Sequence, residues 1–172
     1  TLDKKGIELL YGMDLEDKAQ AGTPWQKLTT NKENLLKFLK SKKEPKLFFT
    51  APAGVHILGQ KFESMGFGKK MAYKLASGAP PIKLGKGGII VTGGGSKGFA
   101  DLPPYPELVS NAQEHFVSKN AQGEKVETPF MDVLGMTETL TALIDRYGVM
   151  DKVPHPLAEA FLLDPLTFEP IE

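Results

Sequence analysis

Four residues with strand preference, Ile89-Ile90-Val91-Thr92, run directly into Gly93-Gly94-Gly95. Each of the four branches at Cβ, which stiffens the side chain and suits a pleated, buried surface. The three glycines then remove every Cβ, so the backbone can turn sharply and be approached closely. A buried strand ending at an open turn restricts this chain to folds with an interior sheet. Three further apolar runs have a similar length: Leu47-Phe48-Phe49-Thr50, Phe130 to Leu134, and 159–163, which closes at Asp164-Pro165.

Segments with helical periodicity lie between these runs. Thr30-Asn31-Lys32-Glu33 is a capping-box pattern, and Leu35, Leu36 and Leu39 follow, so the spacing predicts a helix over 31–43 that Pro45 ends. Its lysines 37, 40, 42 and 43 form a solvated face. Ala51-Pro52-Ala53-Gly54 reads as a turn, after which Val55, Leu58, Phe62 and Met65 predict a helix closing at Gly66, with a second helical segment over 67–75. Residues 76–88 are dense in Gly and Pro and read as a loop. Leu108, Val109, Ala112 and Phe116 share a face of a helix over 106–117, followed by a polar connection over 120–128. Leu140, Leu143, Ile144 and Tyr147 recur at i, i+3, i+4, i+7 and predict a helix over 139–147, stopped by Gly148. Strands alternating with helices predict one α/β domain over 1–172, with a mostly parallel sheet and helices on its faces.

Lys+Arg and Asp+Glu are both 21, so the formal charge is zero, which argues against a nucleic-acid or anionic-membrane surface. There is no cysteine, which excludes disulfides, thiolate metal sites and a cysteine nucleophile within these residues. No apolar run reaches the ~20 residues that cross a bilayer, and the expected setting is cytoplasmic. The single tryptophan, Trp25, reads as core. His56, His115 and His155 each stand without a second ligand in the local sequence and read as packing or surface residues.

Gly93-Gly94-Gly95-Ser96-Lys97-Gly98 is not a Walker loop, which needs four residues between its first glycine and Gly-Lys-Ser/Thr. It fits the bare Gly-x-Gly-x-x-Gly of dinucleotide folds, but Pro103-Pro104 forbids the helix that must open at once behind that fingerprint. What remains is a backbone turn that accepts a flat group, or a tight structural turn. In Gly135-Met136-Thr137-Glu138, Thr137 offers a hydroxyl and Glu138 offers oxygens suited to Mg²⁺. The plainer alternative is a threonine that caps the predicted helix, with a glutamate at its positive end.

Gly135-Met136-Thr137-Glu138 resembles the aromatic-Gly-x-Thr-Glu signature of the adenylate-forming enzymes, with Leu134 where that family carries an aromatic residue. Gly88 to Lys97 resembles the strand and glycine turn that flank adenine there, and its triple glycine followed by lysine is most similar to the acyl-protein synthetase branch. Ala158 to Pro165 is similar to the family's next strand and its Asp-Pro turn. The resemblance implies part of the large N-terminal domain of such an enzyme. It implies ATP and Mg²⁺ as cofactors, and activation of a carboxylic acid, in that branch a fatty acid, as an acyl-adenylate that passes to a thiol. The acceptor would be an acyl-acceptor protein, or CoA if the chain is closer to phenylacetate-CoA ligases. A non-enzymatic nucleotide-binding or scaffold module is the other alternative.

By the same resemblance Gly93, Gly94 and Gly95 would wall the adenine, with Gly135 and Met136 beside the nucleotide. Thr137 would bind a phosphate oxygen, and Glu138 would hold Mg²⁺; these two are the expected catalytic residues. The region 51–62 would contact the acid's tail, and Asp132 has no assigned role. The family's phosphate loop, ribose-binding aspartate, catalytic lysine and acceptor cysteine have no counterpart among these residues. The expectation is therefore a central portion of a larger ligase, partnered by the rest of that enzyme and inactive by itself.

Overall fold

The computed structural model describes residues 6–15, 28–71, 81–95, 102–136, 141–145, 151–154, 156 and 163–171. In chain order the elements are β1 (Met13–Leu15), β2 (Leu28–Thr30), α1 (Lys32–Lys40), β3 (Leu47–Thr50), α2 (Pro52–Glu63), β4 (Ile82–Lys86) and β5 (Ile89–Gly93). They continue with α3 (Tyr105–His115), β6 (Phe116–Lys119), β7 (Lys125–Val126), β8 (Phe130–Met136), β9 (Thr141–Asp145) and β10 (Lys152–Val153). A helical turn also covers 67–71. The molecule is α/β, as the alternation of elements predicts.

Three strands that the apolar runs mark out, β3, β5 and β8, are consecutive in a five-stranded sheet of order β10-β9-β8-β5-β3, with β3 at its edge. β3 pairs parallel with β5, and β5 pairs parallel with β8. β8–β9 and β9–β10 are antiparallel, so the sheet is mixed rather than mostly parallel. A second sheet, β4-β6-β7, is also mixed, and β1–β2 is a separate antiparallel ribbon.

The largest departure from expectation is at 139–147, where β9 stands in place of the predicted helix. The i, i+3, i+4, i+7 spacing is real, but β8 offers an edge to pair with. Val133 faces Ile144, Leu134 faces Leu143, and Gly135 faces Ala142 in register. Backbone and cross-strand pairing with β8 overrides the helical pattern.

Other boundaries shift for identifiable reasons. Gly135 and Met136 belong to β8 rather than to a turn. α2 begins at Pro52, a helix-opening proline, so 51–54 is not a separate turn and the helix predicted from Val55 starts earlier. β4 lies inside the glycine-rich stretch read as a loop, with Ile82 and Leu84 buried on alternate positions and a bulge between Lys83 and Gly85. α3 stops at His115 because Phe116 is already extended and begins β6. The helix expected over 31–43 is α1, shorter at both ends; Asn31 is its N-cap and accepts from Asn34 N at 2.9 Å. The predicted strand at 159–163 lies outside the described residues except for Leu163, which bridges Pro170. Trp25 and His155 also lie outside them.

The core is Val55, Phe62, Ile82, Leu84, Ile90, Ala112 and Phe116, with Phe38, Phe48 and Phe130 packed around it. Leu84 and Ile90 are fully buried, and each such side chain stabilises by roughly 1.5–3 kcal/mol. α2 links β3 to β5, and α3 precedes β8, so both connections step the same way across the sheet. Right-handed crossovers then put both helices on one face. They meet there, with the His115 ring 3.1 Å from where a Cβ on Gly59 would stand.

The opposite face therefore lacks these helices. It carries Leu47, Phe49, Ile89, Val91, Met131, Val133, Ile144 and Val153, which register places on one side. Phe49 is 67% exposed and Leu47 56%.

Candidate functional site

β5 and β8 are adjacent and parallel, so their carboxyl ends lie on one edge of the sheet. That is the edge at which open α/β sheets bind ligands. Gly93 pairs with Val133, and β8 runs three residues further, to Met136. The structure thus brings Gly93, Gly94, Gly95, Gly135 and Met136 to one edge. Thr137 and Glu138, the next two residues in the chain, lie outside the described residues.

Glycine is required at the turn for conformation. Gly94 has φ +90° and Gly95 φ +64°, a left-handed backbone that side chains with a Cβ resist. At Gly93 a Cβ would come within 3.3 Å of the Val133 carbonyl oxygen. At Gly95 and Gly135 it would meet no described atom within 4 Å, so a flat ligand can approach both backbones from the open side.

Directly beneath this edge is a polar network that the sequence reading did not assemble. Thr92, fully buried, donates to Asp132 Oδ1 at 2.6 Å and clamps β5 to β8 one residue before the glycine turn. Lys152 Nζ reaches Asp132 Oδ2 at 2.9 Å and Asp145 Oδ1 at 2.6 Å. Asp145 Oδ2 accepts from Asp132 N at 2.8 Å and from the Tyr105 hydroxyl. Lys152 also stands 5.5 Å over the Tyr105 ring. Four strands, β5, β8, β9 and β10, and α3 are tied at one point. The signal in the sequence was an aspartate inside each of two apolar runs, Asp132 and Asp145, with no indication of which cation they share.

The charges are held in their ordinary states. Burial pushes the Asp145 carboxyl up, but hydrogen bonds from Lys152, Tyr105 and the Asp132 backbone outweigh it and leave the pKa lowered. Burial pushes Lys152 down, and its bonds to Asp145 and Asp132 reverse that, so it is raised. Burial and then the neighbouring Asp145 carboxylate raise the Tyr105 phenol, which stays a donor. With both carboxylates on Lys152, the network supports the strand ends and keeps its ammonium occupied.

No family model, curated protein or solved structure matches this chain. Among the described residues, no helix is long and apolar enough to cross a membrane.

Proposed function

We propose that this chain contributes the nucleotide-facing part of an acid-activating site in an ATP-dependent acid–thiol ligase, of the kind its Gly-Met-Thr-Glu and triple-glycine motifs resemble. The carrying observation is the parallel pairing of β5 with β8, which sets Gly93–Gly95 beside Gly135-Met136 at one edge. Two motifs 40 residues apart in the chain are neighbours, with glycine backbone open to a flat base and a Thr-Glu pair next in sequence.

In this reading the carboxylate of the acid attacks the α-phosphate of ATP, pyrophosphate leaves, and the acyl group of the resulting acyl-adenylate then passes to a thiol with release of AMP. The glycine backbones of Gly93–Gly95 hold the adenine. Thr137 donates to a phosphate oxygen, and Glu138 holds Mg²⁺, a hard cation that takes oxygen ligands. Glu138→Gln keeps the shape and removes the charge, and loss of such electrostatic stabilisation costs about 10²–10³ in rate.

The chain itself tests the binding half of this reading. Isothermal titration with ATP and Mg²⁺ is expected to show a saturable site that Gly94→Val removes and Glu138→Gln weakens. Failure of ATP to bind, or binding that both variants leave unchanged, overturns the assignment of this edge to nucleotide. Acid-dependent pyrophosphate release is expected only when the residues for phosphate and thiol chemistry are also supplied.

A further inference from the structure

The last turns of α2 and α3 carry a second cluster, away from the sheet edge and independent of the nucleotide reading. Glu63 ends α2, and Glu114 and His115 end α3. One ligand atom from each of the three lies within 4.8 Å of the other two. Glu63 and His115 also line a small groove of about 30 Å³ between the helices, together with His56, Gly59 and Gln60.

His115 is the unusual member. Its ring is mostly buried against Phe62, at 5.9 Å between centroids, and Nε2 is closed to solvent with no hydrogen-bond partner among the described residues. A buried ring nitrogen left unmatched is costly. Glu63 Oε1 stands 3.6 Å from it, beyond the N–H···O range of about 2.7–3.2 Å. That spacing suits two ligands of one ion instead. Metal–nitrogen and metal–oxygen bonds of about 2.0–2.2 Å at a tetrahedral angle hold their donors ~3.4 Å apart.

Local electrostatics agree. Carboxylates are disfavoured at the negative end of a helix, and here two helices each bring one to the same point. A cation between them reverses that sign. Gly59 is part of the arrangement, because a Cβ there would stand 3.3 Å from His115 Nε2 and crowd the nitrogen.

We infer that Glu63, Glu114 and His115 bind a divalent transition-metal ion, of the Zn²⁺ class, that clips the ends of α2 and α3 together. One imidazole and two carboxylates suit Zn²⁺ better than Mg²⁺, which prefers oxygen alone. Three protein donors leave a position for water.

The test uses the full chain, freed of metal by chelation, with Zn²⁺ in calorimetry and Co²⁺ as a spectroscopic probe. One equivalent is expected to bind, to give the visible bands of tetrahedral Co²⁺, and to raise the melting temperature. His115→Ala is expected to abolish all three effects. His115 also packs in the interior, so the exposed Glu63→Gln carries the decision: it is expected to fold normally and lose affinity by about tenfold or more, since even groups behind a metal ligand cost 10–100-fold. His56→Ala, whose ring faces Gln60 at 3.0 Å, is expected to leave affinity unchanged. No saturable binding, or binding and thermal shift that Glu63→Gln leaves intact, overturns the site.

Discussion

At the scale of single residues, Lys152 and Asp145 are the contact on which most depends. Only 2% of the Asp145 side chain is exposed, so removing its cation leaves a buried, unmatched charge. Lys152 itself is 28% exposed, which moderates the penalty. Lys152→Met is expected to cost about 2–3 kcal/mol, between the values for fully buried and surface pairs, read from the urea midpoint. A loss within experimental error would show that the network only decorates the sheet. The pH dependence follows from the two shifts. Asp145 is lowered from 3.8, so its contribution is present above that value and disappears as pH falls through the lower folded pKa. Lys152 is raised from 10.5, so its contribution is present below that value and disappears as pH rises through the higher folded pKa. Stability from this pair should be flat between about pH 5 and 9 and fall on both sides, and Lys152→Met should flatten the alkaline limb.

Among the elements, β9 and α1 give opposite lessons. α1 is set by local chemistry: Asn31 caps it, Glu33 occupies its first turn, and Lys37 and Lys40 its last. Asn31→Ala is expected to cost about 1 kcal/mol in thermal or urea unfolding, the usual worth of a side-chain cap. β9 has no comparable local determinant and exists because β8 is there to pair with. Ala142→Val separates the strand from the helix that periodicity suggests. Opposite Ala142 is Gly135, with no described atom where its Cβ would be, so the larger side chain has room. In the strand it is expected to be neutral or to stabilise by up to ~0.5 kcal/mol, whereas a helix would be weakened. Cross-strand nuclear Overhauser effects between residues 133 and 144 check the pairing directly.

Over the whole molecule, the two faces of the five-stranded sheet are unequal. Both crossovers step in one direction, so α2 and α3 cover one face while the other leaves Leu47, Phe49, Ile144 and Val153 exposed. Parallel sheet normally carries cover on both sides. With its exposed side chains, that face is expected to bind a hydrophobic dye and to promote self-association. β3 adds an open edge, which makes the effect stronger. Phe49→Lys should reduce dye fluorescence and light scattering while moving stability by no more than about 0.5 kcal/mol, because the ring is already mostly in water. A large loss of stability would mean that Phe49 is buried in the working molecule.

By itself the sequence determined three strands of the five-stranded sheet and the helices between them. Ile89–Thr92 can be little else than a strand, and Leu47–Thr50 and Phe130–Leu134 announce themselves in the same way, since branched and aromatic side chains favour a pleated surface; that no residue of Leu47–Thr50 is buried was not legible. It also determined the glycine turn, because consecutive left-handed residues at Gly94 and Gly95 tolerate few alternatives. Only the tertiary structure decided that 141–145 is a strand, since periodicity cannot see an available partner edge. Only it could gather Thr92, Tyr105, Asp132, Asp145 and Lys152 around one ammonium, or Glu63, Glu114 and His115 at two helix ends. Those groups are distant in sequence, and electrostatic pairing depends on distance in space, which no local pattern encodes.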